Sequence, residues 1–255
     1  MGPELRRQEI LELANAQTSV SVDEVARRFG VSRETARRDL AQLDADGLLH
    51  RVHGGALKTA AEPTLSQRMV ENAAAKQAIA RAAAALFDAG DTLLVDAGST
   101  TAFFASALAE APRMTLMTTS VEVAARAGTG GARHRIYLIG GEYRPEGGEA
   151  VGSVALEQID RFRADHAVLT VGAIDAARGL MDYDVEEAMV ARAMLRQAAR
   201  LTVLADASKF DRVALVQVCE LAAVSRLVTD RAPSAVLGQA VERAGVELVI
   251  ASARI

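Results

Sequence analysis

Cysteine occurs once in the chain, as Cys219, and tryptophan does not occur at all. A lone thiol excludes an internal disulfide and a thiolate metal cluster. Its neighbours Val216, Val218 and Leu221 mark it as a buried structural group rather than a reactive one. Aromatic residues make up only 4%, so a core must come mainly from Ala, Val and Leu. Long apolar runs are also missing. The longest stretch without a charge, residues 97–109, has 13 residues, short of the roughly 18 that a spanning helix needs. The opening Met1-Gly2-Pro3-Glu4-Leu5-Arg6-Arg7 lacks the apolar stretch of a secretory signal. His50 and His53 have no partners at metal-site spacing, so neither a metal nor a cofactor is expected. A soluble cytoplasmic protein is the expectation.

The 255 residues suit one large or two modest domains. Half are hydrophobic and 24% are charged, which supports a sizeable core and argues against wholesale disorder. The net charge of −4 gives no global attraction to nucleic acid or an anionic membrane. Its distribution says more. Arg27, Arg28, Arg33, Arg37 and Arg38 lie within twelve residues that hold a single acid, Glu34. A solvated helix face is the plain explanation of such a cluster, and the surrounding pattern is what changes it.

Residues 4–17 follow a helical alternation, with Ile10, Leu13 and Ala14 on one face and Glu9 and Glu12 on the other. Ser19-Val20-Ser21 breaks that pattern, and Ser21 with Glu24 forms a capping-box signature. Val22, Val25, Ala26 and Phe29 then mark two turns of amphipathic helix. Gly30 can end that helix in the left-handed conformation, and Ser32 is placed to cap a third. Two short helices joined by a tight glycine turn make a helix-turn-helix.

The third helix carries its core stripe at Ala36, Leu40 and Leu43, so Glu34, Arg38 and Ala41 point away, flanked by Thr35 and Arg37. Such a helix suits the major groove. An arginine there can donate two hydrogen bonds to a guanine edge, and a threonine can meet a thymine methyl or a phosphate. A small helical bundle with an arginine-rich exterior would give the same periodicity. Gly47 ends the element, residues 48–52 read as a strand, and His53-Gly54-Gly55 as a turn. That hairpin would be a wing, with Arg51 and His53 near phosphates or the minor groove.

The run Val31-Ser32-Arg33-Glu34-Thr35-Ala36-Arg37-Arg38-Asp39-Leu40, continuing into Gly47-Leu48-Leu49-His50-Arg51-Val52-His53-Gly54-Gly55-Ala56, resembles the DeoR family of bacterial transcription regulators. The resemblance implies a winged fold that binds double-stranded operator DNA. The residues it assigns to DNA are Ser32, Arg33, Glu34, Thr35, Arg37, Arg38, Arg51 and His53.

Residues 58–71 show no clear periodicity and read as a linker between a domain at 1–57 and another at 72–255. An alanine-rich helix follows over about 72–87. From Gly90 onward, short Val/Leu/Ile runs alternate with helical segments, which argues for an α/β domain with a mainly parallel sheet. Strands are expected at 92–95, 115–118, 135–139, 167–171, 201–204, 227–229 and 246–250. Helices are expected from Thr101, from Val121, near 154–162, over 185–199 and over 234–244.

Polar residues gather at the carboxyl ends of these strands, where open α/β sheets bind ligands. Asp96-Ala97-Gly98-Ser99-Thr100-Thr101 opens into a helix, an arrangement that suits a phosphate. Thr118-Thr119-Ser120 and Gly140-Gly141 end the next two strands, and Asp206-Ala207-Ser208-Lys209 supplies a cation further on. Helix capping or a tight turn explains each of these singly; the set points to a site.

This half also resembles the DeoR sensor domain, whose fold is similar to ribose-5-phosphate isomerase. Arg68, Asn72 and Lys76 match positions at its entry, and Asp206, Ser208, Glu186 and Arg192 match further positions. The effector residues implied are Asp96, Gly98, Ser99, Thr100, Thr101, Thr118, Thr119, Ser120, Gly140, Gly141, Glu187 and Lys209. Thr119 stands where the family commonly has Asn, and Ala191 where it often has Lys. The resemblance therefore implies a repressor of sugar-catabolic genes, controlled by a phosphorylated sugar and assembled as a dimer or tetramer. A phosphosugar isomerase using Glu186, Glu187, Asp182 and Lys209 is the enzymatic alternative. A scaffold whose winged domain binds a protein is a third reading.

Overall fold

The computed structural model describes residues 2–17, 19–45, 49–52, 55–58 and 64–251. The chain forms two compact units, Met1–Pro63 and Thr64–Ile255.

The first unit contains α1 (Pro3–Gln17), β1 (Ser19–Ser21), α2 (Val22–Phe29), α3 (Arg33–Ala45), β2 (Leu49–Val52) and β3 (Gly55–Lys58). Ser21 caps α2 by accepting from the Glu24 amide at 3.1 Å. Gly30 ends α2 at φ 63°, the left-handed turn that lets α3 start three residues later. Ser32 then caps α3, accepting from the Thr35 amide at 3.0 Å. Ile10, Val25, Ala36 and Leu40 are wholly buried in the small core these helices share. β2 and β3 pair antiparallel with Val52 opposite Gly55, and β1 adds to the far side of β3. The segment 19–21, read only as a break between helices, is thus a strand. Gly47, expected to end α3, and His53 and Gly54 of the expected turn lie outside the described residues, while Gly55 begins β3.

The second unit opens with α4 (Leu65–Val70) and α5 (Ala73–Ala84), then β4 (Thr92–Val95), α6 (Ser99–Leu108), β5 (Thr115–Thr118), α7 (Val121–Ala127) and β6 (Arg135–Leu138). A hairpin, β7 (Glu142–Arg144) and β8 (Glu149–Val151), leads into α8 (Gly152–Ile159) and β9 (Ala164–Leu169). Then come β10 (Ala173–Asp175), β11 (Gly179–Asp182), α9 (Val185–Arg196), β12 (Ala198–Leu204), β13 (Val216–Cys219), β14 (Arg226–Thr229), α10 (Ala235–Arg243) and β15 (Glu247–Ile250).

Seven strands form one sheet in the order β15-β14-β12-β9-β4-β5-β6. Every neighbouring pair in it is parallel. Successive side chains on a strand face opposite sides, and the two cores follow that rule. Leu93, Val95, Leu116 and Val168 pack with Ile79 of α5 and Phe104 of α6. Leu94, Met117, Leu169 and Val203 pack with Ile159 of α8, Met194 of α9 and Leu237 of α10. The result is an α/β/α sandwich. A smaller antiparallel sheet, β10-β11-β13, lies outside it and carries Cys219, whose thiol is pushed up to about 11 by burial.

The second unit also departs from the sequence reading at several places. Residues 65–70, inside the stretch expected to be unpatterned, are helical because Thr64 and Gln67 form a reciprocal capping box. The hairpin 142–151 and the outer sheet are made of strands of three or four residues, too short to show a period. The helix expected over 185–199 stops at Arg196, because 198–204 is one long strand.

Candidate functional site

On the first unit, α3 buries Ala36, Leu40 and Leu43 and leaves Arg33, Glu34, Arg37 and Arg38 exposed, with Thr35 partly so. This is the face that the helical wheel placed outward. The Ser32 and Thr35 hydroxyls lie 2.9 Å apart. Arg33 reaches back to Asp23 of α2 at 2.8 Å, and Arg37 lies 3.8 Å from Glu34. The helix is braced from behind by Arg6 of α1, whose guanidinium donates to Asp39 at 2.6 and 3.3 Å with both groups buried. Arg51 falls on β2; His53 lies outside the described residues.

On the second unit, β4 connects onward to β5 on one side, while its neighbour β9 leads to β12 on the other. The chain direction therefore diverges between β4 and β9, and a crevice opens at their carboxyl ends. Asp96 and Thr170 stand there. Asp96 is buried, and its carboxyl accepts from the Ala97 and Thr170 amides. Burial, aided by the nearby Glu187, pushes Asp96 up to about 8. Gly98 begins α6 at φ 155°, and a Cβ there would meet the Thr170 methyl at 2.3 Å. Only glycine lets the two strand ends come this close. Ser99, Thr100 and Thr101 form the buried first turn of α6, and Thr101 donates to the Gly98 carbonyl at 3.0 Å.

At the end of β5, Thr118, Thr119 and Ser120 are fully buried. The Thr118 hydroxyl accepts from the Ser120 amide at 3.0 Å, and the Ser120 hydroxyl caps α7 by accepting from Val123 at 3.3 Å. The Thr119 hydroxyl has no hydrogen-bond partner among the described residues. Its carbonyl accepts from Ala150 at 3.0 Å, which fastens the β7–β8 hairpin over this strand end. That hairpin delivers Glu149, a residue the sequence did not single out. Glu149 is buried, hydrogen-bonded to Glu187 and close to Asp96, and it is pushed up to about 10 by burial and by those two acids. Glu187 comes from the first turn of α9, which Asp184 caps at 2.7 and 3.1 Å.

Beyond β12, Asp206 accepts from the Asn72 amide group at 3.2 Å and caps the turn that carries Lys209. Lys76 of α5 is buried nearby; burial pushes it down while Asp206 pulls it up and Lys209 opposes its charge. Arg68 of α4 acts on both Asp96 and Glu149. The ends of four adjacent strands, β12, β9, β4 and β5, thus carry interacting polar side chains. Asp96 and Glu187 meet there with Glu149 and Arg68, while Lys209 meets Lys76 and Asp206.

Gly140 and Gly141 lie apart on the sheet edge. Gly140 exchanges hydrogen bonds with the Gln158 amide at 3.2 and 3.1 Å, and Gly141 packs against Val151 of β8. A separate depression of about 690 Å³ lies between α4, α7 and the hairpin, lined by Leu65, Met69, Val121, Tyr143 and Pro145 among others. None of the expected effector residues lines it. Among the described residues no group of acids, histidines and cysteines is arranged to hold a metal, and no helix is long and apolar enough to cross a membrane.

A helix-turn-helix with a flanking strand pair, joined in one chain to an α/β unit with polar groups gathered at its strand ends, defines a DNA-binding regulator with a sensing module. Residues 6–60 match the family model described as the DeoR-like helix-turn-helix domain, and residues 71–231 match the DeoR C terminal sensor domain. The chain belongs to the DeoR family. It is 32% identical to the HTH-type transcriptional repressor CsqR of Escherichia coli (strain K12), over 96% of this chain and 94% of that protein. It is 33% identical to the transcriptional repressor AccR of Agrobacterium fabrum, over 97% of each. The glycerol-3-phosphate regulon repressor of Escherichia coli (strain K12) is 32% identical over 89% of this chain and 91% of that one. A solved ribose 5-phosphate isomerase A from Methanocaldococcus jannaschii aligns with 53% of this chain and 53% of its own, at 18% identity and a TM-score of 0.39. The curated relatives are repressors, and this chain is a regulator rather than an enzyme.

Proposed function

We propose that this chain is a cytoplasmic repressor whose residues 1–57 bind operator DNA and whose residues 72–255 bind a phosphorylated sugar or sugar derivative and assemble the homo-oligomer. In this reading 58–71 join the two parts. Arg38 and Thr35 read bases, Arg37 and Arg51 mainly bind phosphates, Ser32, Arg33 and Glu34 line the same approach, and His53 of the wing reaches phosphates or the neighbouring minor groove. Paired half-sites need at least a dimer, because one short helix and one wing make too little contact for tight binding.

The observation that carries the effector reading is the cleft where β4 and β9 diverge. The α6 N-terminus with its glycine and hydroxyls lies on one side, and the cations Lys76 and Lys209 lie beside the end of β12. Free amide groups at a helix start and nearby ammonium groups together suit a phosphate. Asp96 and Glu187 suit sugar hydroxyls, since carboxyl oxygens accept them well. A relative named for the glycerol-3-phosphate regulon agrees with this chemistry.

The test is calorimetry with matched pairs, such as glucose and glucose 6-phosphate, on the wild type and on Lys209→Ala. The phosphate ester should bind more tightly than its parent, and the variant should lose that advantage. Equal binding of ester and parent would reject the effector reading. Binding to the DNA upstream of the gene should be salt-dependent and should change on adding the ester.

A further inference from the structure

Helix α4 is the first element of the second unit, directly downstream of the DNA-binding unit. Six residues are too few for it to persist by its own hydrogen bonds. Besides its Thr64–Gln67 cap, three tethers hold it and its exit. The Leu65 amide donates to the Glu146 carbonyl, in the β7–β8 hairpin, at 2.8 Å. The Lys76 ammonium donates to the Arg68 carbonyl at 2.6 Å. Just past the C-cap Glu71, Asn72 stands at φ 52° and its side-chain amide donates to Asp206 at 3.2 Å. We propose that α4 relays effector binding to the DNA-binding unit: the tethers grip it in one state of the sensing unit and release it in the other. The inference rests on the effector reading given above.

The tethers lead back to the residues assigned above to the effector. Lys76 is buried and is itself one of the two cations assigned to the phosphate. Asp206 Oδ1, which accepts from Asn72, also accepts from the Ser208 amide at 2.9 Å and so caps the turn that carries Lys209. The hairpin is fastened to the end of β5. Ala150 donates to the Thr119 carbonyl at 3.0 Å, and Val121 donates to the Gly148 carbonyl at 3.1 Å. Ser120 and Glu149 pair across the same joint. A ligand that shifts Thr119, Ser120 or the Lys209 turn therefore shifts the atoms that hold α4. Coupling requires an element with two states that both sites bias. A short helix that forms only when held is such an element, of the kind that switches between order and disorder. On the sensing side its tethers bias it. On the other side the chain itself does, passing from the first unit into the second at Thr64.

The experiment deletes tethers one at a time in the full chain. Leu65→Pro removes the amide that meets Glu146, yet proline suits the first position of a helix. Thr64, at ψ 154°, already has the conformation favoured before proline. Leu65→Ala loses most of the side chain, keeps that amide and serves as control. Asn72→Gly removes the bond to Asp206, and glycine suits φ 52°. The first arm uses no ligand and reads amide exchange over 68–71 and affinity for the DNA upstream of the gene. Leu65→Pro and Asn72→Gly should each speed the exchange and shift the affinity by about threefold or more, the worth of one hydrogen bond. Both shifts should share one direction. Faster exchange with unchanged affinity overturns the relay, as do unchanged exchange or opposite shifts. An equal effect of Leu65→Ala assigns the change to packing and overturns the hairpin tether. The second arm measures DNA affinity with and without saturating glucose 6-phosphate. The ratio of the two should move about threefold or more toward one in both variants, with the ester still bound by calorimetry. A wild-type ratio in both variants, or a wild type whose bound ester leaves DNA affinity unchanged, overturns the proposal. If no ester binds wild type, the effector reading falls, and the first arm alone decides whether α4 governs DNA binding.

Discussion

The ammonium of Lys76 donates to the main-chain carbonyl of Arg68 at 2.6 Å, so a buried lysine on α5 holds the end of α4. The start of α4 is held separately, by the Leu65 amide donating to the Glu146 carbonyl at 2.8 Å. A helix of six residues is far too short to persist alone, so these two anchors act together with its Thr64–Gln67 cap. Lys76→Met should keep the packing of the stem and remove the anchor. We expect amide exchange over 65–70 to accelerate about tenfold or more, in keeping with a lost charged hydrogen bond of about 1.5–3 kcal/mol, while β4 and β5 stay protected. Unchanged exchange in α4 would show that the anchor is dispensable.

Gly98→Ala places a methyl 2.3 Å from the Thr170 methyl at a backbone conformation that side chains avoid. A loss of about 2–4 kcal/mol is expected from clash and strain together. Thr170→Ser removes the opposing methyl. In the double variant about 1 kcal/mol should return, which measures the clash separately from the strain. Denaturant titration of the two single variants and the double reads both numbers.

Asp96 sits at about 8 in the folded chain against an ordinary 3.8. Its native pKa is the higher one, so between those values the folded state holds a proton that the unfolded state has lost, and stability falls as pH rises. The slope for one such group is up to about 1.4 kcal/mol per pH unit, levelling off above the folded value. Asp96→Asn should therefore gain on wild type as pH rises from about 5 to about 8. A difference between the two proteins that stays constant over that range would contradict the burial argument.

The exposed face of α3 gives the prediction for DNA. Arg38→Ala should cost about 1–3 kcal/mol and relax preference at particular base pairs, whereas Arg51→Ala should weaken all sequences alike. Binding titrations against an operator and its single-base variants separate the two patterns. Retained affinity and preference in Arg38→Ala would remove that residue from the reading helix.

The first unit was legible because its signals are local. Ser21 with Glu24, Gly30 and Ser32 each act within four residues of chain: Ser21 and Ser32 cap their helices and Gly30 takes the left-handed turn. The parallel strands were legible as short aliphatic runs between helices. Glu149 was not. It reaches the cleft through a hairpin of two three-residue strands, and no period or motif in 142–151 announces it. Thr64 and Gln67 were a readable cap, but the helix behind them carries too few apolar positions to show a stripe. The two glycines at 140 and 141 were expected in the effector site, and no sequence signal showed that Gly141 also allows β8 to approach within a distance that any Cβ would block.

The strand order also sets a timetable for synthesis. Residues 1–63 can close on contacts close in sequence as soon as they emerge. The central strand β4 cannot: one of its two neighbours, β9, begins at Ala164, some seventy residues downstream. Closing such long loops is slow, since entropy is lost before pairing rewards it. A nascent chain would thus present a finished helix-turn-helix while its sheet is still half built.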